Sequence, residues 1–265
     1  MNEYALDPQL TRDETTEMVE GLVSGWIIPE EVPQGISTVI LPDSECPAGA
    51  RFCARALHTL VLRSRPRTLV VVASGAVPHP RMQSMGQVDT AIGSCSIDER
   101  LSALLATQLD DQLEVTARMG SPLPTLQRLT PLLCQVLAPG CRFIPILVPD
   151  RQFDALSMFN LGQKLGDALS QEHGACVIAG LNLPARDKLG SVADVTDDAG
   201  IIRHILDPDP KLFLDASLMA RIHDFAPTLI ALGHARQRQG LSGYLLEHGD
   251  LGTADSTRGA ASLVL

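Results

Sequence analysis

Five short apolar segments constrain the fold of this chain more than any other feature. They lie at 37–42, 68–73, 142–148, 175–180 and 259–265, and each is bounded by Gly, Pro or Asp. Most of them lack the alternation of apolar and polar residues that marks a strand with one solvent-exposed face. A strand without a polar face is covered on both sides. The pattern therefore predicts a buried β-sheet with helices on both of its faces.

The segments between these strands have the periodicity of amphipathic helices. Between 151 and 171, Met158, Leu161 and Leu165 recur at three- and four-residue intervals, and Asp150 is the expected N-cap. Similar patterns predict helices at 49–64, 97–108 and 123–137.

Two apolar stripes near the carboxyl end, at 218–222 and 225–232, predict two further short helices. Because Pro227 is tolerated only in the first turn of a helix, the second helix is predicted to begin near Asp224, which would be its N-cap. The partial positive charge at that helix N-terminus, next to His223, would suit an anion.

The length and composition of the chain suit a single domain. Its 265 residues, 45% of them hydrophobic, are enough to bury one sizeable core. Residues 1–36 are predicted to form a helical segment that packs on an α/β domain at 37–265, and no repeat or long linker divides the chain. The predicted fold is one three-layer α/β/α domain with a central, mostly parallel or mixed sheet.

The net charge of −10 argues against a nucleic-acid partner, and no cluster of Lys and Arg in the sequence offers a local exception. The six cysteines include no C-x-x-C pair, so we expect reduced thiols in a cytoplasmic protein. The acidic amino terminus does not resemble a signal peptide, and no apolar run is long enough to span a membrane.

A polar stretch at 181–198 follows the fourth predicted strand and is predicted to be a loop. In open α/β sheets, loops at the carboxyl ends of strands border the ligand crevice. Asp194, Asp197 and Asp198 lie in this stretch without the spacing of a calcium loop, so we expect a solvated contact loop.

Three stretches of the chain carry motifs of a known family. The closing segment GDLGTADSTRGAASLVL, at 249–265, is similar to S-G-D-x-x-G-D-x-S-x-V-x-G-Y-A-A, and 123–150 is similar to L-P-F-L-x(n)-I-V-P-V-L-V-G. By position, 39–57 resembles I-x-P-H-A-G-Y-x-Y-S-G, and 69–80 resembles I-L-G-P-S-H-H-x-P. Over 37–265 the chain thus resembles the MEMO family, which includes protein B of the AmmeMemoRadiSam system. The resemblance implies a fold like that of the class III extradiol dioxygenases.

The resemblance also implies that the metal site of that family is substituted here. Its first histidine falls on Asp43, its second falls two positions before His79, and its cysteine falls on His223. Its S-S-D-x-x-H motif falls on 179–184, where both Asp and His are absent and Asn182 is the remaining polar candidate. The candidate residual site therefore comprises Asp43, His79, His223 and Asn182.

The leading hypothesis is a MEMO-like pseudoenzyme that has lost its metal site. It would need no cofactor and would act as a binding, accessory or scaffold subunit, with a protein partner or a second copy of the chain. The main alternative is a divergent extradiol-dioxygenase-like oxidoreductase. That enzyme would hold Fe(II) through Asp43, His79 and His223, which are two histidines and a carboxylate. A third hypothesis is a metal-free module that binds a small molecule or anion near Asp224.

Overall fold

A nine-stranded mixed sheet forms the centre of the protein in a computed structural model. The residues that it describes are 12–42, 49–90, 93–118, 132–136, 140–183, 185–186, 192–207, 209–220, 222, 224–238, 242–252 and 257–265. The strands of the described residues are β1 (Thr38–Pro42), β2 (Thr68–Gly75), β3 (Arg81–Gln83), β4 (Gln87–Thr90), β5 (Gly93–Ser96), β6 (Glu114–Thr116), β7 (Arg142–Pro149), β8 (Ala175–Leu181), β9 (Ala185–Arg186), β10 (Tyr244–Gly252) and β11 (Thr257–Val264).

The order of strands in the sheet is β10-β11-β1-β8-β2-β7-β3-β6, and β9 pairs with β11. The four central strands β1, β8, β2 and β7 run parallel, whereas β11 pairs antiparallel with β1 and β10. Strands β4 and β5 form a separate two-stranded sheet.

Seven helices lie within the described residues: α1 (Arg12–Val23), α2 (Ala50–Ser64), α3 (Glu99–Gln108), α4 (Ala155–Ala168), α5 (Val192–Leu206), α6 (Pro210–Met219) and α7 (Ala226–Gln237). Residues 132–136 form a further short helical segment. The rest of the helix predicted at 123–137 lies outside the described residues. No described helix is both long enough and apolar enough to cross a membrane.

All five predicted strands are confirmed, as β1, β2, β7, β8 and β11. Every residue of β1 is buried, as are the first six residues of β2. One core contains apolar side chains of α3 to α7. A second core contains those of α1 and α2, and the strands contribute different side chains to the two cores. The prediction of a sheet covered by helices on both faces is therefore confirmed.

Helices α4 and α7 cross at very close range on one face of the sheet. A Cβ atom added to Gly162 of α4 would lie 2.1 Å from the carbonyl oxygen of Ile230, and one added to Gly233 of α7 would lie 2.2 Å from that of Phe159. Because real Cβ atoms do not approach backbone oxygens this closely, both helices need a glycine where they cross.

Two predicted N-caps are wrong. Asp154, not Asp150, caps α4, because its carboxylate accepts a hydrogen bond of 2.8 Å from the backbone N–H of Ser157. The backbone N–H of Asp150 instead donates to the carbonyl of Gly75, which holds residue 150 beside the sheet. Phe225, not Asp224, is the N-cap residue of α7, although Pro227 lies in the first turn as predicted.

Residues 12–36 pack on the domain. Val19, Leu22, Val32 and Ile36 are buried in the same core as α2. The indole N–H of Trp26 donates to the hydroxyl of Thr59 on α2 at 3.2 Å. This part of the chain therefore completes one of the two helical layers.

Candidate functional site

The four central strands end at one edge of the sheet, where the residual metal site was predicted. Asp43 and His223 lie outside the described residues. His79 is exposed, in the turn between β2 and β3. In the parts of the chain that the structure describes, no three His, Cys, Asp or Glu side chains converge as metal ligands.

Asn182 lies directly after β8 at this same edge. Its side-chain amide donates to the carboxylate of Asp224 at 3.5 Å, and the hydroxyl of Thr228 donates to the carbonyl of Gly180 at 2.9 Å. These contacts join the end of β8 to the start of α7. Asn182 thus lies beside the helix N-terminus that the sequence indicated.

The loop predicted at 181–198 is wrong for its second half, because α5 begins at Val192. Ile201, Ile202 and Ile205 of this helix are buried in the core that also contains α7. Asp194 and Asp197 therefore lie in a helix. Their side chains lie outside the described part of the structure.

Asp198 is fully buried and is not a surface contact residue. Its carboxylate lies 3.3 Å from Nε2 of His248 on β10. A buried carboxylate requires such a partner, since burial without one is costly. Asp198 therefore joins α5 to an edge strand of the sheet.

The opposite edge of the sheet, where β2, β7 and β8 begin, carries a cavity of about 400 Å³. We call it the amino-edge cavity. Its charged and imidazole side chains come from Arg65, Arg67, Asp98, Arg100, Arg142, Glu172 and His173. Gly140, Cys141 and Gly174 contribute to the same lining.

Strand register explains why basic residues converge there. Thr68, the first residue of β2, pairs with Arg142 of β7 on one side and with Ala175 of β8 on the other. A basic residue therefore lies at or just before the start of each of these strands, namely Arg67, Arg142 and His173. Parallel strands place such residues at a common edge, although they lie far apart in the sequence.

Backbone contacts hold this edge tightly. The backbone N–H of Arg67 donates to the carbonyl of Gly174 at 2.8 Å, and that of Arg142 donates to the carbonyl of Arg67 at 2.9 Å. Gly174 has φ +90, and an added Cβ would lie 3.2 Å from Cγ of Arg67. Glycine suits Gly174 because other residues rarely adopt this φ.

The two carboxylates of the amino-edge cavity have different roles. Asp98 is buried; it caps α3 by accepting from the backbone N–H of Leu101 and also accepts from the hydroxyl of Thr68 at 2.6 Å. Glu172 is partly exposed and accepts two hydrogen bonds from Arg100, at 2.9 and 2.5 Å. These bonds lower the pKa of the Glu172 carboxyl below its ordinary value and raise that of Arg100.

Arg65, Arg67 and Arg142 are exposed, and no carboxylate of the described residues pairs with their side chains. A second cavity, of about 520 Å³, adjoins the first and shares Gly140, Cys141 and Arg142 with it. Together the two cavities present fixed positive charge and room for a small molecule.

This site was not predicted from the sequence, because its arginines are spread from Arg65 to Arg142. The prediction that no basic cluster exists is wrong for the folded chain. The sequence nevertheless contained a signal for this cluster. Arg67 directly precedes one predicted buried strand and Arg142 is the first residue of another, and parallel strands start at a common edge of the sheet.

Comparisons with known proteins show the fold. No family model matches the chain, and neither does any curated protein. The structure is similar to the crystal structure of uncharacterized protein JW3007 from Escherichia coli K12, with a TM-score of 0.56 and 15% sequence identity. The similarity covers 85% of this chain and 99% of that one. Both proteins thus share an α/β architecture with a central sheet flanked by helices.

Proposed function

We propose that this protein acts through binding, and that its ligand is a small anion held in the amino-edge cavity. The observation that carries the proposal is the convergence of Arg65, Arg67, Arg100 and Arg142 around one cavity of about 400 Å³. This occurs in a chain whose net charge is −10. A local excess of arginine against the overall charge is most simply explained by a negatively charged ligand.

The balance of charge within the cavity supports an anion. Asp98 already accepts from Thr68 and Leu101, and Glu172 is engaged by Arg100. Arg67 and Arg142 have no carboxylate partner among the described residues, so their guanidinium groups are available to a ligand. A guanidinium presents paired N–H donors whose spacing fits carboxylate and phosphate oxygens.

The size and exposure of the cavity indicate the class of ligand. Its volume falls within the range of about 300–1,000 Å³ that small-molecule sites occupy. Because the arginines are exposed, their attraction for an anion is screened by salt within a Debye length of about 10 Å at 0.1 M. We therefore expect a compact phosphate- or carboxylate-bearing molecule whose affinity falls as salt rises.

The proposed site is non-catalytic and lies at the edge of the sheet opposite the one that the sequence indicated. The strand and closing motifs support a MEMO-like ancestry. The substitution of the family's metal ligands is the basis for proposing a protein partner and a scaffold role. The Fe(II) alternative depends on Asp43, His79 and His223. One tightly bound iron per chain in elemental analysis, lost in Asp43→Ala and in His223→Ala, would favour that alternative.

Isothermal titration with inorganic pyrophosphate at constant ionic strength tests the proposal. We expect saturable binding that Arg67→Ala and Arg142→Ala each weaken roughly tenfold or more, because a hydrogen bond to a charged group contributes about 1.5–3 kcal/mol. Glu172→Gln should strengthen binding, since it removes a negative charge and releases Arg100 from its ion pair.

Arg151→Ala is the matched control. Arg142 opens β7, whereas Arg151 is exposed just beyond the other end of that strand, so both variants change the net charge equally. The eight residues of β7 separate the two sites by roughly 26 Å, well beyond the Debye length. Equal weakening by Arg142→Ala and Arg151→Ala would contradict a specific site, as would the absence of binding to the unmodified protein.

A further inference from the structure

Two cysteines that are distant in the sequence meet beside the second cavity. The Sγ atoms of Cys95 on β5 and Cys134 in the helical segment 132–136 lie 2.8 Å apart. Both belong to the core that contains α2, together with Leu132 and Leu133. Shortening that 2.8 Å separation by about 0.75 Å would bring the sulfurs to the disulfide bond length of about 2.05 Å.

We propose that Cys95 and Cys134 form a reversible disulfide when the protein is exposed to a peroxide or a comparable two-electron oxidant. The inference does not depend on anion binding. The bond would tie the β4–β5 hairpin to the segment that leads into Gly140, Cys141 and Arg142. Ser94 and Ser96 of the hairpin line the second cavity together with those three residues, so the cross-link would join two of its borders.

Burial indicates which of the two cysteines the oxidant attacks first. Cys95 is 8% exposed, whereas Cys134 is half-buried and more open to an oxidant. The hydrogen bond with Cys134, followed by burial, raises the pKa of the Cys95 thiol, so that thiol stays protonated at neutral pH. Cys134 is therefore the sulfur that reacts first.

The chemistry balances with one molecule of hydrogen peroxide. The Cys134 thiolate attacks a peroxide oxygen, the O–O bond breaks, and the departing hydroxide takes up a proton to leave as water, with Cys134 as a sulfenic acid. The Cys95 sulfur then attacks the Cys134 sulfur and breaks its S–O bond. The hydroxide released takes the Cys95 proton and leaves as a second water. Two thiols thus lose two electrons, and the peroxide gains them.

Peptide mapping of the full-length protein tests the proposal. After hydrogen peroxide treatment, remaining thiols are alkylated in denaturant and the protein is digested with trypsin without reduction. We expect the tryptic peptide 82–100, which contains Cys95, to be linked to the peptide 129–142, with a loss of two hydrogens that dithiothreitol reverses.

The peptide 129–142 contains both Cys134 and Cys141, so variants identify the sulfur involved. The link should persist in Cys141→Ser and in the control Cys176→Ser, and should vanish in Cys95→Ser and Cys134→Ser. Circular dichroism melts before oxidation show that each variant is folded. A link that survives in Cys134→Ser but not in Cys141→Ser would overturn the proposal, as would over-oxidised, unlinked cysteines in the unmodified protein.

Discussion

At the scale of single residues, a fully buried polar contact joins a histidine of α7 to the first residue of β1. His234 in the last turns of α7 is fully buried, and its Nδ1 lies 2.8 Å from the hydroxyl of Thr38 on β1. Burial, with a smaller contribution from Arg238, lowers the pKa of His234 to about 3. The imidazole is therefore neutral in the folded protein across the physiological range.

This pKa predicts a pH dependence of stability. In the unfolded chain His234 takes up a proton near its ordinary pKa of 6.5, whereas in the folded protein it does so only near 3. The unfolded state thus binds more protons between these values, so the contribution of His234 to stability is complete above pH 6.5 and is lost as the pH falls towards 3. We expect the drop in melting temperature between pH 7.5 and 5 to be smaller in His234→Gln.

The variant His173→Gln provides the control for that comparison, because His173 is exposed at the amino-edge cavity. Its drop in melting temperature over the same pH interval should match that of the unmodified protein. If both variants changed the drop equally, the effect would not come from burial of His234.

At the scale of elements, the crossing of α4 and α7 requires a glycine in each helix. Gly162→Ala should destabilise the protein by about 1–3 kcal/mol or more, because the added methyl group overlaps the carbonyl of Ile230 and forces the helices apart. Gly200→Ala in α5 is the matched control, since no atom lies within 4 Å of its added Cβ. That variant should be neutral or stabilising by up to about 1 kcal/mol, and urea unfolding of both measures the contrast.

At the scale of the whole molecule, the carboxyl-terminal strand joins the parallel strands to the antiparallel edge. Strand β11 lies between β10 and β1, and residues 260–265 are buried. Deleting 259–265 would remove Leu263, Val264 and Leu265, each worth about 1.5–3 kcal/mol when fully buried, and would expose the edge of β1.

Against a typical net stability of about 5–15 kcal/mol, we expect the truncated protein to be insoluble. The milder variant Leu263→Ala should remain soluble and lose about 2–5 kcal/mol in denaturant unfolding. A truncated protein that stayed soluble and melted within a few degrees of the full chain would contradict the role of β11 in the core.

The sequence by itself determined the central strands and the three-layer architecture. Runs such as 68–73 and 142–148 are apolar on both faces, and only a sheet covered on both sides satisfies that pattern. Helix α4 was predictable for a related reason, since its apolar period is local.

Only the tertiary structure decided the helical state of 192–198 and both proposed sites. Arg67 and Arg142 meet because β2 and β7 are neighbours in the sheet but distant in the chain. Cys95 and Cys134 meet because the helical segment 132–136 lies against β5, about forty residues earlier in the chain. Strand order and register depend on contacts summed over the whole core, and no local pattern carries that information.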